Sequence, residues 1–109
     1  MNSWRVEVLN DAVARELDSW PAALRARLAR IVDRIESVGL PAVGPPFLEH
    51  LEGEIWEMRP SGDRMEGRAL YAAVRGRRVV ILVAFIKKQQ KTPRRFIDLA
   101  VARLREVKS

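Results

Sequence analysis

Arg59, Arg68, Lys87 and Lys88 are the side chains best matched to an anion, and Glu57 stands two positions before the first of them. An arginine presents a planar fork that meets two phosphate oxygens at once, and a lysine adds a compact point charge. Residues i and i+2 share a strand face, so Glu57 adds beside Arg59 a group able to accept a proton. After Ile86 the charge concentrates further, in Lys87-Lys88-Gln89-Gln90-Lys91-Thr92-Pro93-Arg94-Arg95. Thr92 and Pro93 read as N-cap and first residue of a helix whose apolar positions Phe96, Ile97, Ala100, Leu104 and Val107 recur at helical spacing. Five cations therefore stand at or just before a helix N-terminus, which already carries partial positive charge. Lys91, Arg94 and Arg95 join the others as candidates to bind a polyanion, because such a pattern is relieved by a bound anion.

The elements that must position these residues can be read from periodicity. Trp4, Val6 and Val8 alternate with Arg5 and Glu7, the pattern of a half-buried strand. Asn10 or Asp11 caps a short helix that Trp20-Pro21 breaks. In the longer helix that follows, Leu24, Leu28, Ile31, Ile35 and Val38 form one apolar face. Its outer face, with Arg25, Arg27, Arg30, Asp33, Arg34 and Glu36, reads as mainly solvated. Gly39 ends the helix, and Pro41, Gly44, Pro45 and Pro46 mark the longest irregular connection. From Glu54 onward the chain reads as an antiparallel meander of strands 55–59, 68–74 and 79–86, with turns through Pro60-Ser61-Gly62-Asp63 and at Gly76. The last strand is apolar on both faces and is expected to be central.

The predicted fold is α+β, one domain over residues 1–109 in the order β-α-α-β-β-β-α, an antiparallel meander packed by helices. In a meander the end of one strand lies beside the start of the next, so Arg59 falls near Arg68, and Lys87 and Lys88 return to the same edge. Side-chain parity sends Lys87 and Lys88 to opposite faces, which complicates that convergence.

With 109 residues, 48% of them hydrophobic, the chain suits a single core. A net charge of +6 favours polyanionic partners, nucleic acid before membrane. The lack of cysteine excludes disulfides, thiolate nucleophiles and zinc–thiolate sites. No stretch has transmembrane length and the N-terminus does not read as a signal peptide, so a cytoplasmic location is expected. Glu49, Glu52, Glu54 and Glu57 are not spaced as a magnesium nuclease site, His50 reads as surface decoration, and neither metal nor cofactor is expected.

The segments Leu51-Glu52-Gly53-Glu54-Ile55-Trp56-Glu57-Met58-Arg59, Gly67-Arg68-Ala69-Leu70-Tyr71 and Phe85-Ile86-Lys87-Lys88-Gln89-Gln90-Lys91-Thr92-Pro93 resemble the phage-derived HigB-like branch of the RelE/ParE toxin superfamily. The resemblance covers most of the chain and implies the toxin of a type II toxin–antitoxin system with a RelE-like fold. It further implies a ribosome-dependent mRNA endonuclease neutralised by a helix-turn-helix, HigA-like antitoxin. The superfamily's arginine closing the second strand falls on Arg59, its third-strand arginine on Arg68, and its basic pair on Lys87 and Lys88. Gly67 stands where the family usually carries an aromatic residue.

RNA supplies its own nucleophile, the 2′-hydroxyl, so cleavage to a cyclic phosphate needs in-line geometry, charge stabilisation and proton transfer, with no obligatory metal. Arg59 and Arg68 suit the charge; Glu57, Lys87 or Lys88 suit the proton transfer. Tyr71 is a candidate to stack on a base, weighed against a place in the core. Plainer readings stand beside each role. Arg94 and Arg95 can pair with Asp98, Arg59 and Arg68 with Glu57 or Glu66, and Lys87-Lys88 can guard an apolar strand against aggregation. The alternative function is a non-catalytic or ParE-like toxin or repressor component that binds a protein or nucleic-acid target.

Overall fold

The computed structural model describes residues 3–62 and 64–108. Its elements are β1 (Arg5–Val8), α1 (Asp11–Asp18), α2 (Ala22–Val38), a 3-10 turn (Leu40–Ala42), β2 (Leu48–Glu52), β3 (Ile55–Met58), β4 (Ser61–Gly62), β5 (Met65–Val74), β6 (Arg78–Ile86) and α3 (Arg94–Lys108). Asp63, expected in the turn after β3, lies outside the described residues.

Local chemistry sets the helix boundaries. The Asn10 side chain accepts a hydrogen bond from the Val13 N–H, so Asn10 rather than Asp11 is the N-cap of α1. Pro21 opens α2 and Gly39, at φ +91°, closes it in a conformation that a side chain would strain.

The sheet runs β1-β6-β5-β3-β2, with β4 paired only to β5. Strands β2, β3, β5 and β6 are antiparallel neighbours, but β1 joins β6 in parallel, so the sheet is mixed rather than the all-antiparallel meander expected. The physical reason is that β1 has no hairpin partner. The chain leaves it directly into α1, and the edge left open is that of β6, whose direction the later hairpins have fixed. A second departure is β2, an edge strand joined to β3 through Gly53 at φ +53°. Of its residues only Leu48 is buried, which removes the alternation that would have announced a strand. With the two-residue β4 added, the order β-α-α-β-β-β-α gains two strands.

As its composition demands, β6 is central and covered on both faces. Val79, Ile81 and Ala84 pack with Val13, Leu24, Leu28, Ile31 and Ile35 from the α1–α2 layer. Val80, Leu82, Val83 and Phe85 pack with Ala100 and Leu104 of α3. Leu82 and Val83 share a face because Leu70 pairs with Val83 and Tyr71 with Ile81, which leaves Leu82 as the extra residue of a bulge. Beyond Ile81, β1 no longer covers the edge of β6. Glu16 there accepts the Ala84 N–H at 3.0 Å, and Arg103 donates to the Leu82 carbonyl at 2.7 Å while pairing with Glu16. Backbone groups stripped of a strand partner are thereby satisfied.

Candidate functional site

The end of β3, the start of β5, the end of β6 and the segment entering α3 meet at one edge. The ladder fixes the meeting: the Lys87 N–H donates to the Glu66 carbonyl at 2.8 Å and the Gly67 N–H to that of Pro60 at 2.8 Å. At its centre lies Glu57, buried, with Arg59 Nε and Arg68 Nε each 3.6 Å from its carboxylate. The Thr92 hydroxyl donates to Glu57 Oε1 at 2.9 Å, tying the segment before α3 onto β3. Arg59 also reaches the exposed Glu49 at 2.7 Å.

Arg68 is only 1% exposed, whereas an open cationic edge would leave it accessible. Nη1 donates to the Gly67 carbonyl at 2.7 Å and Nη2 to Glu66 at 3.0 Å; Nε, at ion-pair but not hydrogen-bond distance from Glu57, makes no hydrogen bond. The plainer reading of Arg68, a pairing with Glu57 and Glu66, therefore describes its geometry. Glu66 is held below the usual carboxylate range, first by the Arg68 hydrogen bond and then by the charges of Arg68, Lys87 and Arg59. It is thus a standing negative charge at the rim of an open cleft of about 420 Å3 that it shares with Lys87, Lys88, Gln89 and Gln90. Both lysines line that cleft although parity sends them apart within a regular strand.

The five cations at and before the start of α3 are not equal. Arg94 bonds Asp98 at 2.9 Å, as its plainer reading has it, and also forms a bidentate pair with Glu52 at 2.6 and 2.7 Å. Arg95 lies 4.6 Å from the centre of the Phe96 ring, which itself stacks on Phe85. Lys87, Lys88, Lys91 and Arg95 have no carboxylate within 4.0 Å among the described residues. Tyr71 is not brought to this edge: it is 1% exposed in the α2-facing core, where burial pushes its hydroxyl well above the ordinary range. Its place on a central strand between Leu70 and Ala72 accounts for that burial.

Glu66, read from the sequence as a possible partner of Arg68, is that partner, whereas the bond from Thr92 to Glu57, 35 residues away, escaped the sequence reading because local pattern holds no signal for it. Gly67 also acquires a reason: a Cβ there would stand 2.7 Å from Trp20 Cη2 and 3.2 Å from Leu24 Cδ2. The indole occupies the space above Gly67, and an aromatic side chain at that position has no room. Among the described residues, no group of three or more His, Cys, Asp or Glu side chains is placed to hold a metal ion, and no helix is long and apolar enough to cross a membrane.

The family model described as phage derived protein Gp49-like (DUF891) matches residues 15–105. Among solved structures, a chain in the crystal structure of the archaeal RelE-RelB complex from Pyrococcus horikoshii OT3 is similar at 23% identity with a TM-score of 0.59. The match covers 82% of this chain and 100% of that one. No curated protein matches. At that identity the structural likeness shows a shared fold.

Proposed function

The chain belongs to the phage-derived Gp49-like family, and with its RelE-like fold as premise we propose that it is the toxin of a toxin–antitoxin pair, an mRNA endonuclease that works on the ribosome without a metal. The observation that carries this reading is the edge where a cluster of Arg59, Glu57, Arg68 and Glu66 adjoins, through Glu66, the open cleft that Lys87 and Lys88 line. In the proposed reaction the 2′-hydroxyl attacks the neighbouring phosphorus and the bond to the 5′-oxygen breaks. The products are a 2′,3′-cyclic phosphate and a 5′-hydroxyl.

Arg59, one-third exposed, exchanges Glu49 for the phosphate, while Lys87 and Lys88 approach from the adjoining cleft beside Glu66. These donors stabilise the charge that grows on the phosphoryl oxygens, and losing one costs on the order of 10²–10³ in rate. Glu57 takes the 2′-hydroxyl proton once Thr92 turns away, Lys87 or Lys88 gives a proton to the departing 5′-oxygen, and Arg68 acts as a positioning residue that holds Glu57 and Glu66 in place. Acid–base groups this sparse depend on RNA geometry imposed from outside, which is the role given to the ribosome. A HigA-like helix-turn-helix antitoxin with an acidic segment would neutralise the chain by covering the same cations.

The test maps mRNA ends after adding the purified chain to programmed ribosomes, beside free RNA and the Lys87→Ala/Lys88→Ala variant. Cleavage confined to ribosome-bound mRNA and reduced at least 100-fold in the variant is the expected result. Growth arrest with intact mRNA would overturn the nuclease reading in favour of a toxin that binds a protein target.

A further inference from the structure

A second concavity of about 330 Å3, which shares no lining residue with the cleft of Lys87 and Lys88, lies between α2 and the chain that follows β3. Arg27, Arg30 and Arg34 line it at spacings of three and four, one stripe about 10 Å long at the helical rise. Like charges so spaced repel and weaken a helix by roughly 0.2–0.5 kcal/mol per pair. None of the three has a carboxylate within 4.0 Å among the described residues. The Arg27 stem lies against the β4 turn, its Cγ 3.5 Å from where a Cβ of Gly62 would stand. The floor is apolar, through Ile31 and Val43.

Two features select a ligand class. Phe47, a large apolar side chain left 44% exposed, stands in the same groove as the three arginines. A ring beside guanidinium planes offers stacking to successive bases, and the charges track a backbone. Arg59 belongs to both places, lining the groove while its Nε lies 3.6 Å from Glu57. A concavity of about 330 Å3 with one exposed ring beside its arginines suits a single strand; a duplex would present its grooves and backbone to a broader surface.

We propose that this groove binds single-stranded RNA, its phosphates along Arg27, Arg30 and Arg34 and a base against Phe47, and delivers the strand to Arg59. The outer face of α2, which charge patterning alone reads as solvated, is then a binding surface. The proposal rests on the nuclease reading for what happens beyond Arg59 but not for the binding itself.

The experiment measures anisotropy of a labelled 12-nucleotide RNA, 2′-O-methylated throughout so that it has no nucleophile, titrated with the full chain at several salt concentrations. Replacing Arg27, Arg30 and Arg34 by Ala is expected to weaken binding at least tenfold and to flatten the salt dependence by about two, at roughly 0.7 per phosphate contact. Phe47→Ala alone is expected to weaken it about fivefold or more, with little change in salt slope. A charge-matched variant with Ala at Arg15, Arg75 and Arg105, exposed arginines outside the groove, is expected to stay within threefold of wild type. Equal losses in the two triple variants would reduce the effect to net charge and overturn the proposal. So would unchanged RNA binding in the groove variant together with loss of binding to a glutamate-rich peptide, which would assign the groove to an acidic protein. Groove-dependent binding without cleavage of any ribosome-bound mRNA would overturn the nuclease reading alone.

Discussion

Replacing Arg68 by Ala strikes at stability before it strikes at chemistry. The side chain is 1% exposed and faces Glu57, itself buried, at 3.6 Å. At an effective dielectric constant of about 20 that separation corresponds to an attraction of about 4–5 kcal/mol, offset by desolvation of both groups. Removing one partner of a buried pair strands the other, at a typical cost of about 3–5 kcal/mol. Glu57 keeps the Thr92 hydroxyl at 2.9 Å and Arg59 at 3.6 Å, so the lower end, about 3 kcal/mol, is expected. Against a total stability of roughly 5–15 kcal/mol for a domain, this is a large fraction. The assay is urea unfolding followed by tryptophan fluorescence, for Arg68→Ala, Glu57→Gln and the double variant. Glu57→Gln removes the stranded charge, so the double variant is expected to lose at least 1 kcal/mol less than the sum of the singles. An Arg68→Ala protein within about 0.5 kcal/mol of wild type, or additive singles, would refute the reasoning. It follows that lost activity in Arg68→Ala measures unfolding as well as catalysis, and that the half-buried Lys87 and the exposed Lys88 are the cleaner positions at which to probe function.

At Gly67, substitution by Ala drives a methyl group into Trp20 at 2.7 Å; the expected cost is about 1–3 kcal/mol, read as a lower Tm, and Gly67→Ala/Trp20→Leu should recover part of it. Glu7, Glu52 and Glu66 all have carboxyls lowered below their ordinary 4.5, by hydrogen bonds from Arg78, Arg94 and Arg68 in turn. In that window the unfolded chain binds more protons, so their contribution is complete above pH 4.5 and lost as pH falls through the lowered folded values. Because the groups are exposed, the effect is modest and shrinks with salt. Thermal melts from pH 6 to 3 should show a shallower acid loss for Glu7→Gln/Glu66→Gln than for wild type, and a steeper one would contradict the linkage.

Periodicity carried much of the architecture by itself. The strict helical spacing from Leu24 to Ile35, the Asn10 and Gly39 boundaries and the doubly apolar run of β6 are local properties, and each appears where its pattern placed it. The meeting of Arg59, Arg68 and Lys87 was also legible, because hairpin reversals dictate which strand ends are neighbours. Tertiary structure decided the rest. A bulge at Leu82 turns the remainder of β6 over by one residue, placing Phe85 against α3 and Ala84 against the α1–α2 layer. No count of alternating residues contains that slip, since it is set by pairing with β5 and by Glu16 and Arg103 at the open edge. Likewise Arg94 is neutralised by Glu52 from 42 residues away, Glu57 is tied down by Thr92, and the arginine stripe of α2 is joined to Arg59 only by the path of the chain after β3. Charge in a sequence is a sum over neighbours in the chain; charge in a site is a sum over neighbours in space, and only the packed fold says which those are.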